Sequence, residues 1–127
     1  MNAIVGIGID IVEVGRIEAA MARHPARFAA RVFTDGEVAY CENKRNKFQH
    51  YAARFAAKEA AMKALGTGWG GGVAFSQIEV VHAPSGRPDL RLHDRAGEIF
   101  QASGATVSFL SLSHTDAYGA AQVILSR

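Results

Sequence analysis

The segment FQHYAARFAAKEAAMKALG, residues 48–66, constrains this chain more than any other. It is rich in alanine, the strongest helix former, and Gly66 stands where such a helix stops. At about 100° per residue, Phe48, Tyr51, Phe55, Met62 and Leu65 fall on one stripe, while Ala53, Ala57, Ala60 and Ala64 fall on the opposite face. A helix with two apolar faces has to be covered on both, so the rest of the chain is expected to wrap around it. Charges on such a helix need a partner or a use, because an unpaired buried charge is expensive. Lys58 lies at one edge of the large-residue stripe, next to Tyr51, and must snorkel, find an acid or meet a bound anion. Glu59 and Lys63 stand at i and i+4 on one flank, within reach of each other. That spacing suits an ordinary helix-stabilising pair worth about 0.2–0.5 kcal/mol, and equally an acid and a base held for a ligand.

The N-terminal stretch IVGIGIDIVEVGRIE, residues 4–18, alternates as a strand over 3–12. Ala3, Val5, Ile7, Ile9 and Ile11 share one face; Ile4, Gly6, Gly8, Asp10 and Val12 share the other. A dinucleotide-binding turn would need a third glycine where Ile11 stands and a helix opening at the glycines, so that reading fails. Two readings of Asp10 remain. It is a structural acid, paired with an arginine or capping the following helix, or it is a carboxylate beside which the glycines clear space for a bulky anion or a hydrated metal.

Residues 16–31 read as helical, broken at His24-Pro25, with Ile17, Met21 and Phe28 apolar and Arg16, Arg23, Arg27 and Arg31 charged. Thr34 with Glu37 three residues on is a capping box, and Asp35 is a helix-start acid favoured by the dipole or a helper at a binding site. After the glycine loop GTGWGGG, strands are expected at 76–82 and 89–93 around the turn APSGRP, followed by a helix near 94–103. The C-terminal segment reads as two strands around a turn at Thr115-Asp116, with His114 at the end of the first. The expected class is α+β: one domain, residues 1–127, with a mainly antiparallel sheet packed against a long central helix.

Composition narrows the function. The apolar run from Ala3 to Ile9 is too short to span a bilayer and has no basic flank, so a soluble cytoplasmic protein is expected. Cys41 is the only cysteine and its default role is a buried thiol. Residues 1–65 hold ten Lys/Arg against seven Asp/Glu, and residues 66–127 hold four against five. A modest basic half suits an anionic small molecule or an acidic protein; nothing accompanies it that would read nucleic acid. The five histidines show no zinc-ligand spacing.

Taken together, GIGIDIVEVGRIE, RFAAKEAAMKALGTG, QIEVVHAPSGRPDLRL and VSFLSLSHTDAYGAAQVIL resemble the holo-[acyl-carrier-protein] synthases, small single-domain 4′-phosphopantetheinyl transferases. The resemblance covers nearly the whole chain in order, with Gly119 standing where alanine is usual and more consecutive glycines than expected in the loop before Val73. It implies Mg²⁺-dependent transfer of phosphopantetheine from coenzyme A to a serine of apo acyl carrier protein, in support of fatty acid biosynthesis, releasing adenosine 3′,5′-bisphosphate. It also implies a homotrimer with active sites between subunits. Position by position, it makes Asp10 and Glu59 the magnesium ligands, Glu59 and Lys63 the catalytic pair, and Lys63, His114 and Thr115 the contacts to coenzyme A. Arg16 becomes the residue that docks the acidic carrier, with Arg23, Arg27 and Phe28 as neighbours. The rival reading is a non-catalytic coenzyme A or carrier-protein binding module on the same scaffold, which retention of Asp10, Glu59 and Lys63 together argues against.

Overall fold

The computed structural model describes residues 3–127. In chain order the elements are β1 (Ile4–Glu13), α1 (Val14–Arg23), α2 (Pro25–Val32), α3 (Asp35–Glu42), α4 (Lys47–Leu65), a 3₁₀ turn (Phe75–Gln77), β2 (Ile78–His82), β3 (Pro88–Leu92), α5 (Asp94–Ala102), β4 (Val107–His114) and β5 (Tyr118–Ser126). One antiparallel sheet runs β1-β5-β4, and β2 and β3 form a separate antiparallel hairpin. The expected α+β class with antiparallel pairing is what folds.

Helix α4 is the axis of the molecule. Eleven of its side chains are buried, and Gly66 ends it in the left-handed conformation, with φ 79°, that glycine adopts without strain. Its alanine face lies on the sheet. A Cβ added to Gly8 would stand 1.9 Å from the Ala60 carbonyl oxygen, and one added to Gly6 would stand 2.0 Å from that of Ala64. At Gly119 an added Cβ would meet the Ala53 nitrogen at 2.5 Å. These three glycines therefore let strand and helix backbones touch. The expectation that Gly6 and Gly8 clear room for a ligand is corrected: helix backbone fills that space. The departure at Gly119 has the same cause, because alanine's methyl has nowhere to go.

The large-residue face of α4 is covered by α1–α3 and by β2. Tyr51 meets Phe33 at 4.9 Å between centroids, and the Thr34–Glu37 capping box forms at the start of α3. Glu37 is buried and pairs with Lys58, so of the three fates open to that lysine the fold takes the acid. Pro25 opens α2 directly after α1 ends at Arg23, as the His24-Pro25 break requires. The hairpin strand expected from residue 76 starts at Ile78 because Phe75–Gln77 turn as a 3₁₀ helix first. Cys41 is fully buried, and burial pushes its thiol up to about 12. No helix of the described residues is long and apolar enough to cross a membrane.

The outer face of the sheet stays uncovered. Ile7, Ile9 and Ile11 of β1 are each more than half exposed, and Phe109 of β4 and Tyr118 of β5 are nearly so.

Candidate functional site

The two flanks of α4 carry different chemistry. Asp10 shares its β1 face with Gly6 and Gly8, so the close backbone approach brings it against the helix. There Lys63 Nζ donates to Asp10 Oδ1 at 3.2 Å and to the Ile9 carbonyl at 2.9 Å. The anticipated Glu59–Lys63 pair along the helix does not form; Lys63 reaches across to β1, because the strand offers two oxygens at once. Asp10 Oδ2 is buried and has no hydrogen-bond partner. Beside it, burial raises the Glu59 carboxyl above its usual range, and the Asp10 charge adds to this. A hydrogen bond from the Trp69 side chain and the charges of Lys63 and Arg16 pull it back.

Two carboxylates that repel, one with an orphaned buried oxygen, fit a divalent cation. Mg²⁺ is satisfied by one or two carboxylates with water and phosphate oxygens completing its octahedron. Among the described residues no cluster of three or more potential metal-ligating side chains occurs, so a closed protein cage is not what this site offers.

The other flank, toward β4 and β2, is basic and escaped the sequence reading. Arg54 is 2% exposed with no carboxylate partner, and its Nε is buried without a hydrogen bond. The guanidinium lies 4.1 Å from the Tyr40 ring centroid, and Nη1 donates to the His50 carbonyl at 3.3 Å. His82 stacks on Tyr40 at 4.6 Å, and His50 lies 5.0 Å from His114. Lys44 lies over the Tyr40 ring, 4.7 Å from its centroid. Its sequence signal is a second cation four residues before Lys58, on the same large-residue face, with no acid one turn away.

The remaining candidates fall as follows. Thr115 Oγ1 accepts from the backbone N–H groups of Ala117 and Tyr118 and shapes the β4–β5 turn, leaving its O–H free to donate. Arg16 is exposed on α1 and its charge reaches Glu59. Arg23 and Arg27 are exposed further along, whereas Phe28 is half-buried and edge-on to Phe33 at 6.2 Å. Asp35 is an exposed first residue of α3 and touches neither flank.

Residues 6–120 match the 4′-phosphopantetheinyl transferase superfamily. The chain belongs to this family. It is 49% identical to the holo-[acyl-carrier-protein] synthase of Koribacter versatilis, over 96% of this chain and 98% of that one. Among solved structures it resembles the holo-[acyl-carrier-protein] synthase of Neisseria meningitidis with a TM-score of 0.88 at 32% identity, covering 98% and 99% of the two chains. The Bacillus anthracis enzyme, solved in complex with coenzyme A (3′,5′-ADP), gives 0.80 at 36% identity and 98% coverage of each chain.

Proposed function

We propose that this chain, residues 1–127 as one domain, is a cytoplasmic transferase. It moves 4′-phosphopantetheine from coenzyme A to a serine of apo acyl carrier protein, in support of fatty acid biosynthesis, and releases adenosine 3′,5′-bisphosphate. The observation that carries this reading is the open cluster of Asp10, Glu59 and Lys63 where β1 crosses α4, in a chain matched end to end by proteins of that name.

Asp10 and Glu59 would hold Mg²⁺, which supplies Lewis-acid stabilisation of the charge on the pyrophosphate. Lys63 has an N–H left after its two bonds to β1 and donates it to the same phosphates, where positioned cations are the main source of catalysis in phosphoryl transfer. The nucleophile belongs to the partner. Its serine oxygen bonds to the phosphorus bearing pantetheine as the bridging P–O bond to the bisphosphate breaks, and Glu59 accepts the proton. Arg16, Arg23 and Arg27 present positive charge on the α1–α2 surface for the acidic carrier, with the exposed edge of Phe28 beside them.

The donor's one remaining phosphate, its 3′-monoester, belongs in the Arg54 recess, with His114 and Thr115 at its nucleotide end. Arg54 and Glu59 stand about 140° apart around α4, on opposite flanks of the sheet. A donor that takes the two from neighbouring chains fits this placement and the intersubunit site that the resemblance implies. The exposed isoleucine face of β1 and Phe109 supply the apolar surface for such an assembly, which we read as a homotrimer.

Incubation of the protein with coenzyme A, Mg²⁺ and apo acyl carrier protein, followed by mass spectrometry of the carrier, tests the reading. A phosphopantetheine adduct is expected, and its absence would leave the binding-module alternative.

A further inference from the structure

The basic recess has a peculiarity in its hydrogen-bond polarity. Arg54 Nη2 lies 3.5 Å from His82 Nε2. A guanidinium can only donate, so a hydrogen bond between the two requires His82 Nε2 as the acceptor, on a neutral ring whose proton is on Nδ1. An oxygen anion entering between the two can accept only from N–H groups. It gains His82 as a donor when that ring carries a proton on Nε2, which either tautomer exchange or protonation supplies; of the two, the negative charge of a phosphate favours the protonated ring.

We propose that filling the Arg54 recess with the donor's 3′-phosphomonoester is coupled to protonation of His82, so that the site takes up a proton together with its anion. This rests on the placement of the donor's 3′-phosphate given above and adds to it how that placement responds to pH. The 3.5 Å contact is at the limit of a hydrogen bond and opens at little cost, while the orphaned Nε of Arg54 waits for an acceptor in the same recess.

The surroundings keep the rings neutral until the anion comes. Facing His82 and His50 are Tyr40 and Lys44 from α3 and the loop after it, Arg54 from α4, and His114 from β4; Cys41 is buried behind. The acids of the adjoining elements are engaged elsewhere: Glu42 with Tyr51 and Lys47, and Asp116 with Gln49. Burial first, then the Arg54 charge, holds both His82 and His50 below the usual histidine range. A phosphate dianion reverses the sign of that field. The lowered groups then return toward the cationic form close to neutral pH, the range in which histidine switches.

The test is calorimetric titration of the full chain with adenosine 3′,5′-bisphosphate at about pH 7.2, in buffers of different ionisation heat, with 5′-AMP as the probe lacking the second monoester. Net proton uptake is expected with the bisphosphate, with affinity rising up to about tenfold per pH unit between about pH 8 and pH 6.5. The ligand's own second ionisation, near pH 6, gives the opposite sign, proton release on binding as the dianion. His82→Gln keeps an N–H donor that does not titrate. It should retain affinity within about threefold while losing most of the uptake. Zero uptake in the wild-type protein, unchanged uptake in His82→Gln, equal uptake with 5′-AMP or no binding of the bisphosphate would each overturn the proposal. Transfer measured on the same preparation separates the two readings. Protein that transfers without proton-coupled binding refutes only this inference, whereas protein that never transfers refutes the function on which it rests.

Discussion

Helix α4 carries two lysine–carboxylate pairs five residues apart, and they are opposites. Lys58 gives its three N–H groups to Glu37 Oε1 at 2.7 Å, the Phe75 carbonyl at 3.1 Å and the Ile78 carbonyl, with both side chains wholly buried. Glu37 also accepts from the backbone nitrogens of Thr34 and Val80. Lys63 and Asp10 sit at 3.2 Å with side chains 53% and 14% exposed; the lysine has a donor to spare and the aspartate an orphaned oxygen. The same residue types in the same helix thus make a closed set and an open one. A closed set ties α3, β2 and α4 together and can bind nothing further. Only the open set has capacity left for a substrate.

The largest effect expected from this contrast is on transfer. Asp10→Ala or Glu59→Ala should lower the rate by about 10³-fold or more, the equivalent of the several kcal/mol that a bound cation gives a transition state, with thermal midpoint nearly unchanged. A carboxylate variant that transfers at the wild-type rate would close the open site as a functional one. Lys58→Met should do the reverse. It leaves Glu37 buried and unpaired, at a cost of about 3–5 kcal/mol read as a lower urea midpoint, while each folded molecule keeps its transfer rate. If Lys58→Met/Glu37→Gln recovers none of that loss, the closed pair is not what the single variant broke.

Gly8→Ala probes the frame both pairs share. Its methyl would fall on the Ala60 carbonyl, so the strand must lift from the helix, costing about 1–3 kcal/mol in denaturant and lowering transfer as Asp10 moves away from Glu59. Full stability in that variant would show that strand and helix need not touch. Arg16→Ala should be mildest: an exposed charge outside both pairs, whose loss raises the KM for carrier protein up to about fivefold and flattens its salt dependence. A change in kcat alone would move Arg16 from docking to the chemistry.

The sequence made the elements legible because their signals are local. The period-2 run of β1, the Thr34–Glu37 box and the alanine face of α4 each name their own geometry, and the structure forms all three. Partners were harder, since a helical wheel tells which flank a side chain occupies and not what comes to meet it. The helical wheel leaves Lys58 to snorkel, to find an acid or to meet an anion, and cannot choose among them, because Glu37 is 21 positions earlier and arrives only through the packing of α3. Lys63 has Glu59 within reach on its own helix and instead bonds to β1. Gly6 and Gly8 read as small residues that clear room for a ligand, whereas the folded chain brings Ala60 and Ala64 against them. Arg54 is hidden inside an alanine-rich stretch, and the histidines of its recess, His50, His82 and His114, come from three different elements.

The contact of β1 with α4 through glycine and alanine also has a mechanical meaning. Where two elements are separated by large side chains, their spacing drifts whenever a rotamer changes or a core residue is exchanged. Here the stop is backbone against backbone, with nothing compressible between, so the gap between Asp10 and Glu59 works as a gauge block. The core on the far side of α4 is then free to vary in sequence without loosening the one distance on which a shared cation would depend.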